Sequence, residues 1–355
     1  MLTVYTTMPG WDGSAPAEYQ RNIIEQARWS EEAGCRGALV YSDPEQLEAW
    51  TTAQLIVAKT ERFVPLIAAN PVYMHPFSVA QMVSTIGFLY QRTVDLNLVS
   101  GGFEVHLRQL GCRLDHQQRY EQLTEYGQIV MNLLAGKRPT SHRGAYYTLS
   151  AASLAQPLDP GLTPNIYVSG ASEDCARAQQ NLAIDRLTYP REPSTYAGVA
   201  PLAAWGVKIG IIARSDSADA WRAAHRRFPR DPSGEQSHDW ASKLVKSHWR
   251  KQQFQDALAE SAPNGAYWLY PFRAFRTFAP YLVGSYDEVG EVFARYRDLG
   301  VRTVILDHPT DPDDLHHALT ALAHSDPART VTRTVSGNNT AASSAPCIGT
   351  PLRRR

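Results

Sequence analysis

The sequence predicts a (β/α)8 TIM barrel with an insertion between its seventh and eighth strands and a disordered C-terminal tail. Three observations carry that reading. Eight short β-branched or apolar runs recur along the chain, and longer segments of helical period follow most of them, the pattern of parallel βα units. A length of 355 residues with 43% hydrophobic content suits one large domain with a sizeable core. No Gly-x-Gly-x-x-Gly follows any of the runs, which weakens the alternative of an open doubly wound sheet.

In chain order the expected strands are Leu2 to Thr7, Ala38 to Ser42, Phe63 to Ala69, Thr93 to Val99, Asn165 to Ser169, Ile184 to Tyr189, Val207 to Ala213 and Val301 to Asp307. The expected helices are Ala17 to Ala33, Pro44 to Lys59, Pro76 to Tyr90, Gln117 to Ala135, Glu173 to Leu182, Ser217 to Phe228 and Asp313 to Ala323. Ser42-Asp43-Pro44-Glu45 sets a capping side chain ahead of a Pro in the first turn, which places the second helix start at Pro44. Ser194 to Ala204 is the weakest helix, because it contains Gly and Pro.

Two stretches break the alternation. Residues 226–265 read as an insertion with its own helix. Through Lys251 it holds seven Lys or Arg (Arg226, Arg227, Arg230, Lys243, Lys246, Arg250, Lys251) against three acids (Asp231, Glu235, Asp239). From Ser325 onward large apolar residues almost vanish, so residues 325–355 are expected to be a disordered tail behind a barrel domain of residues 1–324.

The chain has 35 Lys and Arg against 35 Asp and Glu, so no bulk charge points to nucleic acid or an acidic membrane. That neutrality has structure. Residues 1–324 carry 30 basic against 34 acidic residues, a net of −4, while the tail has five Arg and one Asp. No apolar run approaches the ~20 residues of a membrane helix, and no secretory signal opens the chain, so a cytoplasmic protein is expected. Cys35, Cys112, Cys175 and Cys347 are widely spaced without Cys-x-x-Cys, which argues against a disulfide framework or a zinc site. The first three are expected to be reduced and mostly buried. No metal is expected.

In such a barrel the reactive groups gather at the C-terminal ends of the strands. Asn70 follows the third strand, Ser100-Gly101-Gly102 the fourth, Ser169-Gly170-Ala171-Ser172 the fifth and Asp307-His308 the eighth. Gly170-Ala171-Ser172 runs directly into a helix, so its backbone N–H groups and the Ser172 hydroxyl suit a phosphate dianion; simple capping by Ser172 explains the same residues. His116, Arg119 and Tyr120 share one helix face and either converge on an anionic or aromatic ligand or form an ordinary helix start.

Four blocks in this order resemble the bacterial luciferase-like flavin monooxygenases, and within them the alkanesulfonate monooxygenase branch. They are Asn97-Leu98-Val99-Ser100-Gly101-Gly102, Leu114-Asp115-His116-Gln117-Gln118-Arg119-Tyr120-Glu121, Ile166-Tyr167-Val168-Ser169-Gly170-Ala171-Ser172-Glu173, and a late run from Leu282 to Leu306. The resemblance spans roughly Leu2 to Ala323. It implies FMN at the C-terminal ends of the strands, with His116, Tyr120 and Ser172 helping to hold it, Gly170 in the same block, and Ser100 and Asn70 nearby. It also implies FMNH2 supplied by a separate NAD(P)H-dependent flavin reductase, reaction with O2, and a homodimer or homotetramer. The insertion lies where the family keeps a mobile active-site segment; a solvated helix is the plainer reading.

Departures narrow the chemistry. On the seventh strand Lys208-Ile209-Gly210 keeps a cation where sulfonate-oxidising members carry Arg-x-His, and Asp307-His308-Pro309 lacks the Tyr that follows their eighth strand. Arg276 or Arg273 would supply their loop arginine. The expected function is therefore an FMNH2-dependent two-component monooxygenase acting on a small organic substrate other than a simple alkanesulfonate, plausibly in specialised metabolism. Lys208, Arg276 and His308 are the candidate catalytic residues; His308 serves as general acid or base, or is a surface loop histidine. An F420-dependent hydride-transfer oxidoreductase and a non-catalytic flavin-binding protein are the alternatives.

Overall fold

A computed structural model describes residues 2–102, 104–136, 139–198, 205–236 and 265–326. Eight parallel strands close into a barrel: β1 (Thr3–Thr7), β2 (Gly37–Val40), β3 (Val64–Ala69), β4 (Asp95–Leu98), β7 (Ile166–Ser169), β8 (Asp185–Thr188), β9 (Trp205–Arg214) and β12 (Val301–Leu306). Closure is direct, with Thr3 paired to Thr303 and Tyr5 to Ile305. Each strand falls within about two residues of its sequence expectation.

The ten-residue β9 does two jobs. Its first half pairs with β8 and β12, and its second half rises past the barrel to pair with β11 (Tyr281–Ser285), which β10 (Tyr267–Trp268) joins antiparallel. A separate hairpin, β5 (Thr140–Arg143) and β6 (Thr148–Ala152), follows the fourth barrel unit. Neither feature shows in the hydrophobic alternation, because β5 and β6 are largely exposed and β11 continues an already apolar stretch.

The helices are α1 (Pro16–Glu32), α2 (Ala49–Lys59), α3 (Pro76–Tyr90), α4 (Glu104–Gln109), α5 (His116–Leu134), α6 (Glu173–Leu182), α7 (Ser217–Arg227), α8 (Tyr270–Arg273), α9 (Tyr286–Asp298) and α10 (Pro312–His324). Their starts follow local chemistry. Asp115 forms a capping box with Gln118, Ser172 accepts from the Cys175 amide, and Asp311 caps a helix with Pro312 in its first turn. The second helix differs from expectation. Asp43 accepts from the Glu45 amide in a local turn, Gln46 reaches to the Trp11 amide, and the helix begins after Glu48, whose carboxylate accepts from the Trp50 and Thr51 amides. Glu48 therefore takes the capping role that Asp43-Pro44 advertises. Of the weak helix, Pro193–Tyr196 is a single 3-10 turn, and 199–204 lie outside the described residues.

Inside the barrel, Tyr5, Leu39, Leu66, Tyr167, Leu187 and Ile305 form an apolar plug. Below it, the buried Asp95 carboxylate accepts from the Tyr5 hydroxyl at 2.5 Å, from Arg36 at 2.7 and 3.0 Å, and from the Asn165 amide at 2.7 Å. Burial, reinforced by this carboxylate, pushes the Tyr5 phenol far up. Cys35, Cys112 and Cys175 are free thiols; burial pushes Cys35 up to about 12 and Cys175 to about 11. Of the expected insertion, 237–264 lie outside the described residues, as do 327–355 of the expected tail, Cys347 included. Among the described residues no helix is long and apolar enough to cross a membrane.

Candidate active site

Strand alternation builds the floor. Side chains two apart face the same side, so Tyr41, Ser169, Tyr189 and Asp307, each two residues past Leu39, Tyr167, Leu187 and Ile305 of the plug, stand on its upper surface. Asn97, two past Asp95, and Lys208 join them. The layer is polar and splits into two clusters.

The first cluster lies over β4 and β7. The Ser169 hydroxyl donates to Asn97 Oδ1 at 2.7 Å, and the Tyr120 hydroxyl, arriving from α5, donates to the Ser169 carbonyl at 2.9 Å. Burial pushes the Tyr120 phenol well up, with Ser100 and Ser172 beside it pulling the other way. Gly170 has φ +146, and a Cβ there would overlap the Tyr120 hydroxyl and Cys175. Only glycine lets strand, helix start and Tyr120 meet so closely. His116 sits one turn before Tyr120, ring centroids 5.1 Å apart. Its buried Nδ1 makes no hydrogen bond and lies 3.7 Å from Asp174 Oδ2. Burial, with Arg119 adding to it, holds this imidazole below its ordinary value.

Five predicted cofactor residues, Ser100, His116, Tyr120, Gly170 and Ser172, thus converge on the N-terminus of the ten-residue α6. The donor set fits a phosphate: the first-turn amides of α6, a serine hydroxyl, and an orphaned imidazole nitrogen beside a cradle that a Cβ would fill. Asn70 stands apart from them, past the end of β3. Its Oδ1 accepts from the Val72 amide at 3.0 Å, and it lines a cavity of about 200 Å³ with Ser42, Trp50, Tyr73 and Tyr126.

The second cluster lies over β9 and β12. Lys208 Nζ is 2.8 Å from Asp307 Oδ1 and donates to the Tyr41 hydroxyl, with the Tyr41 and Tyr189 rings at 4.8 and 5.7 Å. The other Asp307 oxygen accepts from Thr277 at 2.6 Å and from Tyr281 at 3.1 Å. Tyr281 reaches it because Gly210 leaves its ring room against β9. Burial works against both charges, yet Lys208 holds the Asp307 carboxyl far below the usual range, and Asp307 holds the Lys208 ammonium well above its own. A neutral phenol remains at Tyr41, where burial outweighs the downward pull of Lys208.

His308 edges this cluster, half exposed, its ring 6.2 Å from that of Tyr41. Its φ of +42 is the left-handed region, held by Arg227, which donates to the His308 carbonyl and pairs with Asp314 at 2.9 Å. Burial, Lys208 and Arg227 together keep the imidazole below its ordinary value despite Asp307. Arg276 lies elsewhere: its guanidinium pairs with Asp231 at 2.6 Å on an exposed surface, and its neighbour Thr277 is the residue that reaches the cluster. On the rim, Asp43, Glu45 and His106 approach one another, with Glu45 open to solvent.

Sequence reasoning missed Tyr41, Thr277 and Tyr281. Tyr41 is the last residue but one of the second expected strand, so a position near the strand end points to it. Thr277 and Tyr281 carry no such mark, since they reach the site only because β11 packs on β9.

Residues 1–303 match the luciferase-like monooxygenase family. The chain is 30% identical over 326 residues to 4-(gamma-L-glutamylamino)butanoyl-(BtrI acyl-carrier protein) monooxygenase BtrO of Niallia circulans, covering 89% of this chain and 95% of that one. Among solved structures it is similar to EDTA monooxygenase EmoA from Chelativorans sp. BNC1 (TM-score 0.67, 16% identity, covering 93% of this chain and 94% of that one). It is similar also to riboflavin lyase RcaE with modified FMN and riboflavin (TM-score 0.69, 15% identity, covering 92% of each chain). The chain belongs to the luciferase-like monooxygenase family and is a flavin-dependent monooxygenase or oxidoreductase.

Proposed function

We propose that this protein is the oxygenating component of a two-component system, taking FMNH2 from a separate NAD(P)H-dependent flavin reductase and using O2 on a small organic substrate. The observation that carries the reading is the convergence of His116, Tyr120, Gly170 and Ser172 on the start of α6, a donor set that suits the phosphate of FMN. Ser100 lies beside Tyr120 at that cradle, and Asn70 lines the separate cavity past β3. Bound there, FMNH2 would supply the electrons that reduce O2.

The chain's own task is positioning and dryness. The α6 amides and Ser172 anchor the anionic end, and Tyr120 fixes the turn that presents them. Lys208 on β9 and His308 just past β12 face the substrate side; Arg276, one residue before Thr277, would meet an anionic substrate only on leaving Asp231. BtrO acts on an acyl group held by a carrier protein. An acyl substrate is accordingly the class favoured over a simple alkanesulfonate. Phe88 and Leu89, adjacent exposed apolar residues on α3, suit a homodimer or homotetramer contact.

The test is a titration of the purified chain with FMN, anaerobic FMNH2 and F420, followed by O2 and a mass-spectrometric search for products gaining one oxygen. Preference for FMNH2 with oxygen incorporated is expected. Preference for F420, or tight FMN binding without any oxygenated product, would overturn the reading.

A further inference from the structure

The second cluster holds a donor, Tyr41, that nothing so far assigns, beside the candidate acid or base His308. Lys208 donates to the Tyr41 oxygen, so the Tyr41 proton is left to donate elsewhere. A phenol polarised by a buried ammonium is a strong donor toward an oxygen that gains negative charge. Beside it, His308 presents a half-exposed imidazole, its ring 6.2 Å from the Tyr41 ring. Asp307 cannot substitute as the base, because Lys208, Thr277 and Tyr281 surround its carboxylate.

We propose that Tyr41 and His308 form an enolising pair, and that the substrate is an acyl compound activated at the carbon next to its carbonyl. His308 takes the proton from that carbon through a ring nitrogen. The C–H electron pair moves toward the carbonyl, and the negative charge that gathers on the carbonyl oxygen is met by the Tyr41 hydroxyl. Lys208 is a positioning residue that orients and polarises Tyr41, and Asp307 fixes Lys208. Neither oxidant nor cofactor enters the step, since the proton simply returns to carbon when nothing intercepts the enolate. The geometry needs the two strands that flank β1: the residue just past β2 supplies the donor and the second residue past β12 the base.

The inference rests on the second cluster facing the substrate, as in the proposed function, but its test does not use flavin turnover. The full-length protein, without flavin and without O2, is incubated in D2O with the butanoyl thioester of N-acetylcysteamine, and deuterium at C2 is followed by NMR. Exchange at least tenfold above the protein-free rate is expected. Tyr41→Phe and Lys208→Met should each lower it about 10²-fold, the usual effect of losing an oxyanion donor, and His308→Gln should remove it. Circular dichroism and FMN binding at the separate α6 cradle report that each variant is folded. Parent exchange no faster than the protein-free rate, with FMN still bound, overturns the enolising pair while leaving the oxygenase reading intact. Undiminished exchange in folded Tyr41→Phe or His308→Gln overturns the assignment of those residues.

Discussion

Lys208 and Asp307 form an ion pair at 2.8 Å, both buried, one on β9 and the other at the end of β12, directly above the apolar plug of the barrel. An ion pair in that position is held by design of its surroundings: two hydroxyls complete Asp307 and a phenol receives Lys208.

Breaking this pair from one side should be costly. Asp307→Ala leaves an uncompensated ammonium and is expected to lower stability by about 3–5 kcal/mol, whereas the double change Lys208→Met with Asp307→Leu should recover much of that. Urea unfolding of the parent and the two variants measures it. The pH dependence has a definite sign. The depressed Asp307 carboxyl contributes stability above its unfolded value near ~4, lost as pH falls from there toward its lower native value; the raised Lys208 contributes below ~10.4, lost as pH rises past it. Unfolding midpoints that stay flat from pH 4.5 down to pH 2 in the parent but not in the double variant would contradict the assignment.

The phosphate cradle makes a different prediction. Gly170→Ala places a methyl group against the Tyr120 hydroxyl and asks a non-glycine residue to hold φ +146. FMN affinity should fall at least tenfold, read by quenching of flavin fluorescence, with about 1–3 kcal/mol of stability lost to backbone strain. His116→Ala should weaken FMN with little loss of stability, because Nδ1 has no hydrogen-bond partner to abandon. Unchanged affinity in both variants would remove this cradle from the flavin site.

At the opposite end of the barrel, Asp95 gathers Tyr5, Arg36 and the Asn165 amide. Asp95→Ala strands a buried phenol and a guanidinium together and should cost about 3–5 kcal/mol. The folded fraction should still bind FMN as the parent does. Denaturant unfolding combined with FMN titration separates the two effects, and a large affinity change at constant folded fraction would refute the purely structural role.

The eight barrel strands were legible because each is a short apolar run bounded by polar turns, and α3 and α6 begin and end where Pro76 and Ser172 say they should. The error at α2 has a local cause, since Asp43 and Glu48 are both competent caps and only packing chose between them. Helix α9 carried a readable Ser285-x-x-Glu288 capping box that the strand count overshadowed. His317 Nδ1 and the Tyr286 hydroxyl share a hydrogen bond at 2.6 Å, a contact that no local pattern shows because it depends on two helices packing together.

The sequence by itself determined the barrel, the family and the helix start at α6, because periodicity, caps and contiguous motifs are encoded within one element or between neighbours. Tertiary structure alone decided the second cluster. Tyr41, Lys208, Thr277 and Asp307 are scattered over 267 positions and meet only through barrel closure and the pairing of β11 on β9. The same burial that closes the barrel removes water from Lys208 and Asp307, and they keep their charges against that desolvation because each has the other, with partners from distant strands, within reach.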